Sequence, residues 1–135
     1  MRDTKLLNLA DGTSLNIVPA DNRAEPVVDF LSRIMQLRQS EGGKTLLAVF
    51  VAESFSEILP PGSSQICFLP PHAENEIIFP TEVLSMAIVG HAQVRGGVLL
   101  HGALAELNGE GVIMAAPGNT GKTTASMRLP PPWRS

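Results

Sequence analysis

Three consecutive residues near the end of the chain, Gly121, Lys122 and Thr123, have the types and order of a phosphate-binding loop. In the template G-x-x-x-x-G-K-[ST], backbone N–H groups surround the phosphate oxygens, the lysine contacts the β- and γ-phosphates, and the hydroxyl contacts Mg²⁺. The second glycine lets the backbone approach the phosphate without an intervening Cβ. The first glycine of the template is replaced by Ala116, which leaves the remaining motif intact.

The surroundings of this motif predict a site for ATP and Mg²⁺. An apolar run at residues 112–115 precedes the loop and a helical pattern follows it. The N-terminus of such a helix adds partial positive charge beside a bound phosphate. Thr123 is the predicted metal contact. An ordinary Pro-Gly-Asn turn is the alternative interpretation, but the strand-then-helix context favours the phosphate loop. The predicted nucleotide-binding residues are Gly118, Asn119, Thr120, Gly121, Lys122, Thr123 and Thr124.

His101 is the candidate catalytic residue. The Asn-Gly pair at residues 108–109 favours a two-residue hairpin turn, because both central residues must take positive φ. The antiparallel register then places Ala103 opposite Met114 and His101 opposite Ala116, at the mouth of the loop. A histidine there could orient the γ-phosphate or accept a proton from an acceptor hydroxyl. A structural role, with the imidazole packed on the sheet, is the open alternative.

The composition is that of a small globular protein. The 135 residues correspond to about one domain, and 44% hydrophobic residues suffice for a packed core. A net charge of −3, no basic run, 4% aromatic residues and no tyrosine argue against a nucleic-acid partner. Cys67 is the only cysteine, so no internal disulfide can form. The polar N-terminus and short apolar runs predict a cytoplasmic protein that does not cross a membrane.

The elements that position the loop are predicted from hydrophobic periodicity. Residues 6–9 and 14–18 predict a β-hairpin. Pro26 begins an amphipathic helix that should end near residues 41–43, its apolar stripe facing the core. Residues 46–52 are apolar on both faces and predict a central strand.

Shorter elements follow in the middle of the chain. Surface turns at residues 60–64 and 70–71 separate short strands predicted at residues 65–69 and 76–79. Thr81 is predicted as the N-cap of a second helix that runs to about Arg95 and ends at a Gly-Gly pair. His72 in a loop and His91 in this helix are expected to be solvated or structural rather than ligands.

The region 98–129 resembles the start of the kinase domain of HPr kinase/phosphorylase and its relatives. It is also similar to the HPr kinase-like proteins of peptide-modification cassettes, notably the SynChlorMet cassette family ScmC. The first 95 residues match only in general layout. The residues that carry the resemblance are Leu100-His101-Gly102, the Asn-Gly hairpin, Gly111-Val112-Ile113 and Gly118-Asn119-Thr120-Gly121-Lys122-Thr123.

This resemblance implies an α/β protein whose P-loop domain is related to the nucleotide domain of phosphoenolpyruvate carboxykinase. Residues 1–79 would form an N-terminal α/β segment, and residues 80–135 would begin the nucleotide-binding domain, incomplete at its C-terminus. The implied activity is ATP- and Mg²⁺-dependent phosphoryl transfer to a protein or peptide hydroxyl. Gly118–Lys122 would hold phosphates, Thr123 would contact Mg²⁺, and His101 would lie in the active site.

Two departures from the family pattern bear on catalysis. Ala116 is a mild one. The second is that the family's pair of aspartates, which serves the metal and accepts the proton, would fall just past Ser135, and no acidic residue follows Glu110. We therefore expect this chain to be inactive alone, as a fragment of a longer protein or as a truncated product, with the short proline-ended helix favouring a fragment. A non-catalytic peptide-binding module, with a strand edge at residues 65–69 or 76–79 pairing a peptide, is the alternative function.

Overall fold

The computed structural model describes residues 3–40, 46–54, 60, 62–100 and 102–135. The chain divides into two compact units, Met1–Gly97 and Val98–Ser135. Both contain strands and helices, so the predicted α/β class is confirmed. The domain boundary expected between residues 79 and 80 stays a prediction.

The first unit is a five-stranded sheet covered by two helices. The strand order is β3-β1-β2-β4-β5. β1 and β2 are antiparallel, which confirms the predicted hairpin, whereas β2, β4 and β5 are mutually parallel. Their carboxyl ends therefore lie at one edge of the sheet. The elements are β1 (Lys5–Asn8), β2 (Ser14–Pro19), α1 (Glu25–Met35), β3 (Arg38–Gln39), β4 (Leu46–Val51), a 3₁₀ turn (Ala52–Ser54), β5 (Ser63–Leu69) and α2 (Ile78–Gln93).

The core of this unit lies between the parallel strands and the helices. Alternate residues of β2, β4 and β5 pack against the inner stripes of α1 and α2. β4 is buried on both faces, because Ala48 and Phe50 join Val18 in a second cluster on the opposite side of the sheet. This burial confirms the prediction of a central strand. The main cluster comprises Leu15, Ile17, Ala24, Val27, Val28, Leu31, Leu47, Val49, Val51, Cys67, Leu69, Leu84 and Ile88.

The predicted end of α1 was wrong by about two turns. The helix ends at Met35, because Gln36 takes a left-handed conformation with φ 52° and the N–H of Leu37 donates back to the Ser32 carbonyl at 2.9 Å. Leu37 still packs on the core. The chain then pairs β3 with β1 instead of continuing the helix.

The predicted strand at residues 76–79 was also wrong, since α2 begins at Ile78. Pro80 is accommodated in the first turn, where a backbone N–H needs no intrahelical partner. Thr81 is not the N-cap. It is buried in the first turn, and its hydroxyl donates to the Ile77 carbonyl at 2.6 Å. The predicted turn at 60–64 extends too far, because β5 already includes residues 63–64.

The end of α2 agrees with the sequence. Its last residue is Gln93, Gly96 has φ 77°, and the Gly97 N–H donates to the Ala92 carbonyl at 2.8 Å. His91 is buried, and its Nδ1 lies 3.0 Å from Oε1 of Gln65 in β5. The structural role expected for His91 agrees with this contact. No helix in the described part of the chain has the length and apolar character needed to cross a bilayer.

The second unit is a β-hairpin followed by a short helix. β6 (Gly102–Leu107) and β7 (Glu110–Ala115) pair in the predicted register, with Ala103 opposite Met114 and Leu107 opposite Glu110. Both turn residues have positive φ, 55° at Asn108 and 84° at Gly109. α3 (Lys122–Met127) contacts both strands, and backbone bonds join Glu106 to Arg134.

Candidate functional site

The loop between β7 and α3 has the predicted strand–loop–helix context. β7 ends at Ala115 and α3 begins at Lys122. Within the loop, Asn119 and Gly121 take left-handed conformations, with φ 60° and 82°. Glycine adopts this region without steric cost, and asparagine is among the residues that tolerate it best. The Gly121 carbonyl then accepts the N–H of Ala125 at 2.8 Å and starts the helix.

The loop borders an open concavity of about 450 Å³. Thr123 and Thr124 are exposed, so their hydroxyls are accessible to a ligand. A Cβ built at Gly118 or Gly121 meets no atom within 4 Å, which shows that the space beside both glycines is open. The structure therefore brings six of the seven predicted binding residues to one cavity, and Gly118 is not among its lining residues. The lining residues are Asn119, Thr120, Gly121, Lys122, Thr123 and Thr124.

The side chain of Lys122 folds back along the loop. Its Nζ donates to the carbonyl oxygens of Ala116 and Pro117, each at 2.8 Å. The hydroxyl of Thr120 donates to the same Pro117 carbonyl at 2.8 Å. No carboxylate of the described residues forms an ion pair with Lys122, so its ammonium is not committed to a protein anion there.

Ala116 causes no strain where the template has glycine. Its φ lies outside the left-handed region, so the backbone there does not require glycine. The residue is exposed, and its contribution to the loop is the carbonyl that accepts from Lys122. The replacement is therefore compatible with the loop conformation.

The side chains of the loop are better suited to a metal ion that is coordinated mainly by substrate phosphates than to one coordinated by the protein alone. Among the described residues, no group of three or more His, Cys, Asp or Glu side chains could hold a metal ion. Thr123 offers one exposed hydroxyl, while its carbonyl accepts from the Ser126 hydroxyl at 2.9 Å. Mg²⁺ commonly retains waters and shares few protein ligands with substrate phosphates. Thr123 is thus suited to contact a phosphate-bound Mg²⁺.

His101 lies outside the described residues, so its predicted position opposite Ala116 stays a prediction. The neighbouring pair, Gly102 opposite Ala115, has the register that the sequence predicts for this hairpin. The sequence did not reveal the role of Pro117, whose carbonyl accepts from both Lys122 and Thr120. Its Pro-Gly-Asn context indicates a turn, but a turn motif does not tell which carbonyl will face the lysine.

Comparison with known protein families gives a match in the part of the chain that contains the loop. The family described as SynChlorMet cassette protein ScmC matches residues 65–135, from β5 through α2, the hairpin, the loop and α3. No curated protein and no solved structure gives a significant match. Because the matched region covers more than half of the 135 residues, the chain belongs to the SynChlorMet cassette ScmC family.

Proposed function

We propose that the chain binds ATP with Mg²⁺ through residues 118–124. The observation that carries this proposal is the Lys122 ammonium, held over the loop by the carbonyls of Ala116 and Pro117 beside an open cavity. Backbone N–H groups of the loop would bind phosphate oxygens, and Lys122 would move from carbonyl to phosphate. Thr123 would contact Mg²⁺, which supplies charge neutralisation on the phosphates.

The proposed reaction is phosphoryl transfer to a protein or peptide hydroxyl, as in HPr kinase-like proteins. His101 would orient the γ-phosphate or accept the acceptor proton. None of the residues lining the cavity is a carboxylate that could act as a base or bind a second metal. We accordingly propose that these residues bind nucleotide, and that a base and any second metal contact for efficient transfer come from residues outside the cavity lining.

Thermal unfolding with and without ATP·Mg²⁺ tests nucleotide binding. A ligand that binds only the folded state stabilises it by about 2.7 kcal/mol at 100 times its Kd. We expect ATP·Mg²⁺ to raise the Tm and Lys122→Ala to abolish the shift. Arg128→Ala is the matched control, because it removes an exposed positive charge just after α3 and should retain the shift. A Tm that does not change in the presence of millimolar ATP·Mg²⁺ would contradict the proposal.

A peptide-binding module is the second candidate function. β5 is the last strand in the order of the described sheet, and its Ile66 and Phe68 are exposed on one face. An extended peptide could pair with such an edge through backbone hydrogen bonds. The other predicted edge, at residues 76–79, does not exist because α2 begins there. This candidate predicts peptide binding that survives Lys122→Ala, and a variant that loses both peptide and nucleotide would argue against it.

A further inference from the structure

The first unit contains a cavity of its own, about 440 Å³ in volume. It is formed by segments that follow the carboxyl ends of the parallel strands: residues 22–26 after β2 and residues 72–74 after β5. In open α/β sheets, ligands bind preferentially at this edge. The lining residues are Asn22, Arg23, Pro26, His72 and Glu74.

Arg23 fixes the geometry of this cavity. One terminal nitrogen donates to Oε2 of Glu53 at 3.0 Å, and the other donates to the backbone carbonyl of His72 at 3.0 Å. Because Glu53 follows β4, the guanidinium links the segments that follow all three parallel strands. Glu53 balances the positive charge of Arg23, and the two hydrogen bonds fix the position of its side chain. Arg23 therefore shapes the cavity and contributes little net charge to it.

His72 lines the cavity and has one ring nitrogen engaged in a hydrogen bond. Its Nδ1 lies 2.8 Å from the Pro70 carbonyl, and a carbonyl can only accept, so Nδ1 carries the proton in this bond. In the neutral imidazole, Nε2 is then the nitrogen that can accept a hydrogen bond from a ligand. The histidine is half-buried, which limits competition from water.

One carboxylate of the cavity has no cationic partner among the described residues. Arg23 and Glu53 offset each other, whereas Glu74 forms no ion pair there. A carboxylate without a paired cation attracts a ligand of the opposite charge.

Anions and metal ions fit this cavity poorly. At the N-terminus of α1, the Ala24 N–H donates to Oδ1 of Asp21 at 2.8 Å, so this donor is not free for an anion. An added anion would lie beside the Glu74 carboxylate. The described residues also include no group of metal-ligating side chains.

We propose that this cavity binds a primary ammonium or guanidinium group, presented by a lysine or arginine side chain of a peptide or carried by a small free amine. The Glu74 carboxylate accepts hydrogen bonds from the cation, and Nε2 of His72 accepts another. Pro26 provides an apolar surface for the alkyl chain. The cavity volume falls within the range of small-ligand sites and exceeds what a bare ammonium needs.

NMR titration of the full ¹⁵N-labelled chain tests this proposal with four probes: N-acetyl-lysine methylamide, cadaverine, the uncharged N-acetyl-norleucine methylamide and inorganic phosphate. We expect both amines to shift the amide signals of residues 22–23 and 72–74, with a Kd on the order of millimolar. The tighter of the two amines identifies the source of the cation, a peptide side chain or a free amine. Norleucine and phosphate should leave these signals unchanged.

Two matched variants separate a specific contact from general attraction. Glu74→Gln should weaken amine binding about three- to fivefold, as expected for loss of a charged partner at an exposed position. Glu76→Gln removes the same charge two residues away, outside the cavity, and should change the Kd less than about twofold. Equal losses in both variants, an equal response to norleucine, tighter binding of phosphate, or no response to either amine would overturn the proposal. Since the cavity lies within the first unit, Lys122→Ala should not alter these results.

Discussion

Nζ of Lys122 lies 2.8 Å from the carbonyl oxygen of Ala116, so the loop lysine is bound to the position where the phosphate-loop template has its first glycine. The contact uses the backbone of residue 116 and not its side chain. The exposed methyl group of Ala116 is therefore free of any role in holding the lysine. The departure from the template changes a residue type without changing this contact.

Restoring the template glycine should therefore bring no gain in nucleotide affinity. We expect Ala116→Gly to bind ATP·Mg²⁺ with a Kd within about threefold of the original chain, a difference below about 0.7 kcal/mol. The same change should lower the free energy of unfolding by about 0.4–1 kcal/mol, because glycine gives the unfolded chain more freedom. Calorimetric titration measures the first quantity and urea unfolding the second. A tenfold gain in affinity would show that the alanine impairs the loop.

The two glycines of the loop should respond differently to alanine. Gly121 has φ 82°, where a Cβ costs about 1–2 kcal/mol, whereas Gly118 lies outside the left-handed region and has open space around it. We expect Gly121→Ala to destabilise the second unit by that amount and Gly118→Ala to leave it within about 0.5 kcal/mol. Trp133 is the only tryptophan, so its fluorescence reports urea unfolding of this unit. Equal effects of the two substitutions would contradict the loop conformation.

Asp21 should be a major stabilising residue of the first unit. Its Oδ1 accepts the N–H of Ala24 at 2.8 Å, and its Oδ2 accepts the N–H of the buried Val51 at 2.7 Å. Asp21→Ala removes the carboxylate acceptor of both donors, and Ala24 keeps only its longer bond to the Asp21 backbone carbonyl at 3.3 Å. The substitution should therefore cost about 1–3 kcal/mol of unfolding free energy. Circular dichroism during urea unfolding measures this loss. Glu76→Ala, at an exposed position, is the control and should cost less than about 0.5 kcal/mol.

The thiol of Cys67 should react slowly in the folded chain. Burial raises the pKa of Cys67 to about 11, because the thiolate is disfavoured away from water. The ordinary pKa of a cysteine thiol is 9.0, so at pH 8 the reactive thiolate should be roughly 100-fold less populated than in an unfolded chain. Reaction with Ellman's reagent at pH 8, with and without denaturing urea, measures the ratio. Similar rates in both conditions would show that Cys67 is accessible.

Local sequence signals predicted some of this structure well. The Asn108-Gly109 turn fixed the register of β6 and β7, because a two-residue turn leaves no freedom in how the strands pair. The strand, loop and helix around Lys122 were also predicted from the local sequence. Other features depend on tertiary structure. Glutamine has no preference for the left-handed conformation, so the sequence does not predict it at Gln36. The apolar run before Pro80 is compatible with either a strand or the first turn of a helix.

The cavity at Arg23 and His72 was missed for the same reason. The two residues are 49 positions apart and meet only because parallel strands bring their carboxyl ends to one edge. A lone loop histidine gives no sign of this by itself. The available signal was the polar Asp21-Asn22-Arg23 segment between a strand and a helix, which marks a βα turn without revealing what faces it.

The proposed binding of nucleotide phosphates by residues 118–124 is tested most directly by backbone amide NMR during titration with ATP·Mg²⁺. We expect saturable shifts of the amide signals of residues 118–123, with unchanged signals in the five-stranded sheet of the first unit. Lys122→Ala should require at least about tenfold more nucleotide for the same shifts, because a charge-assisted contact is lost. Loop signals that do not move at millimolar ATP·Mg²⁺, or that move equally in Lys122→Ala, would contradict it.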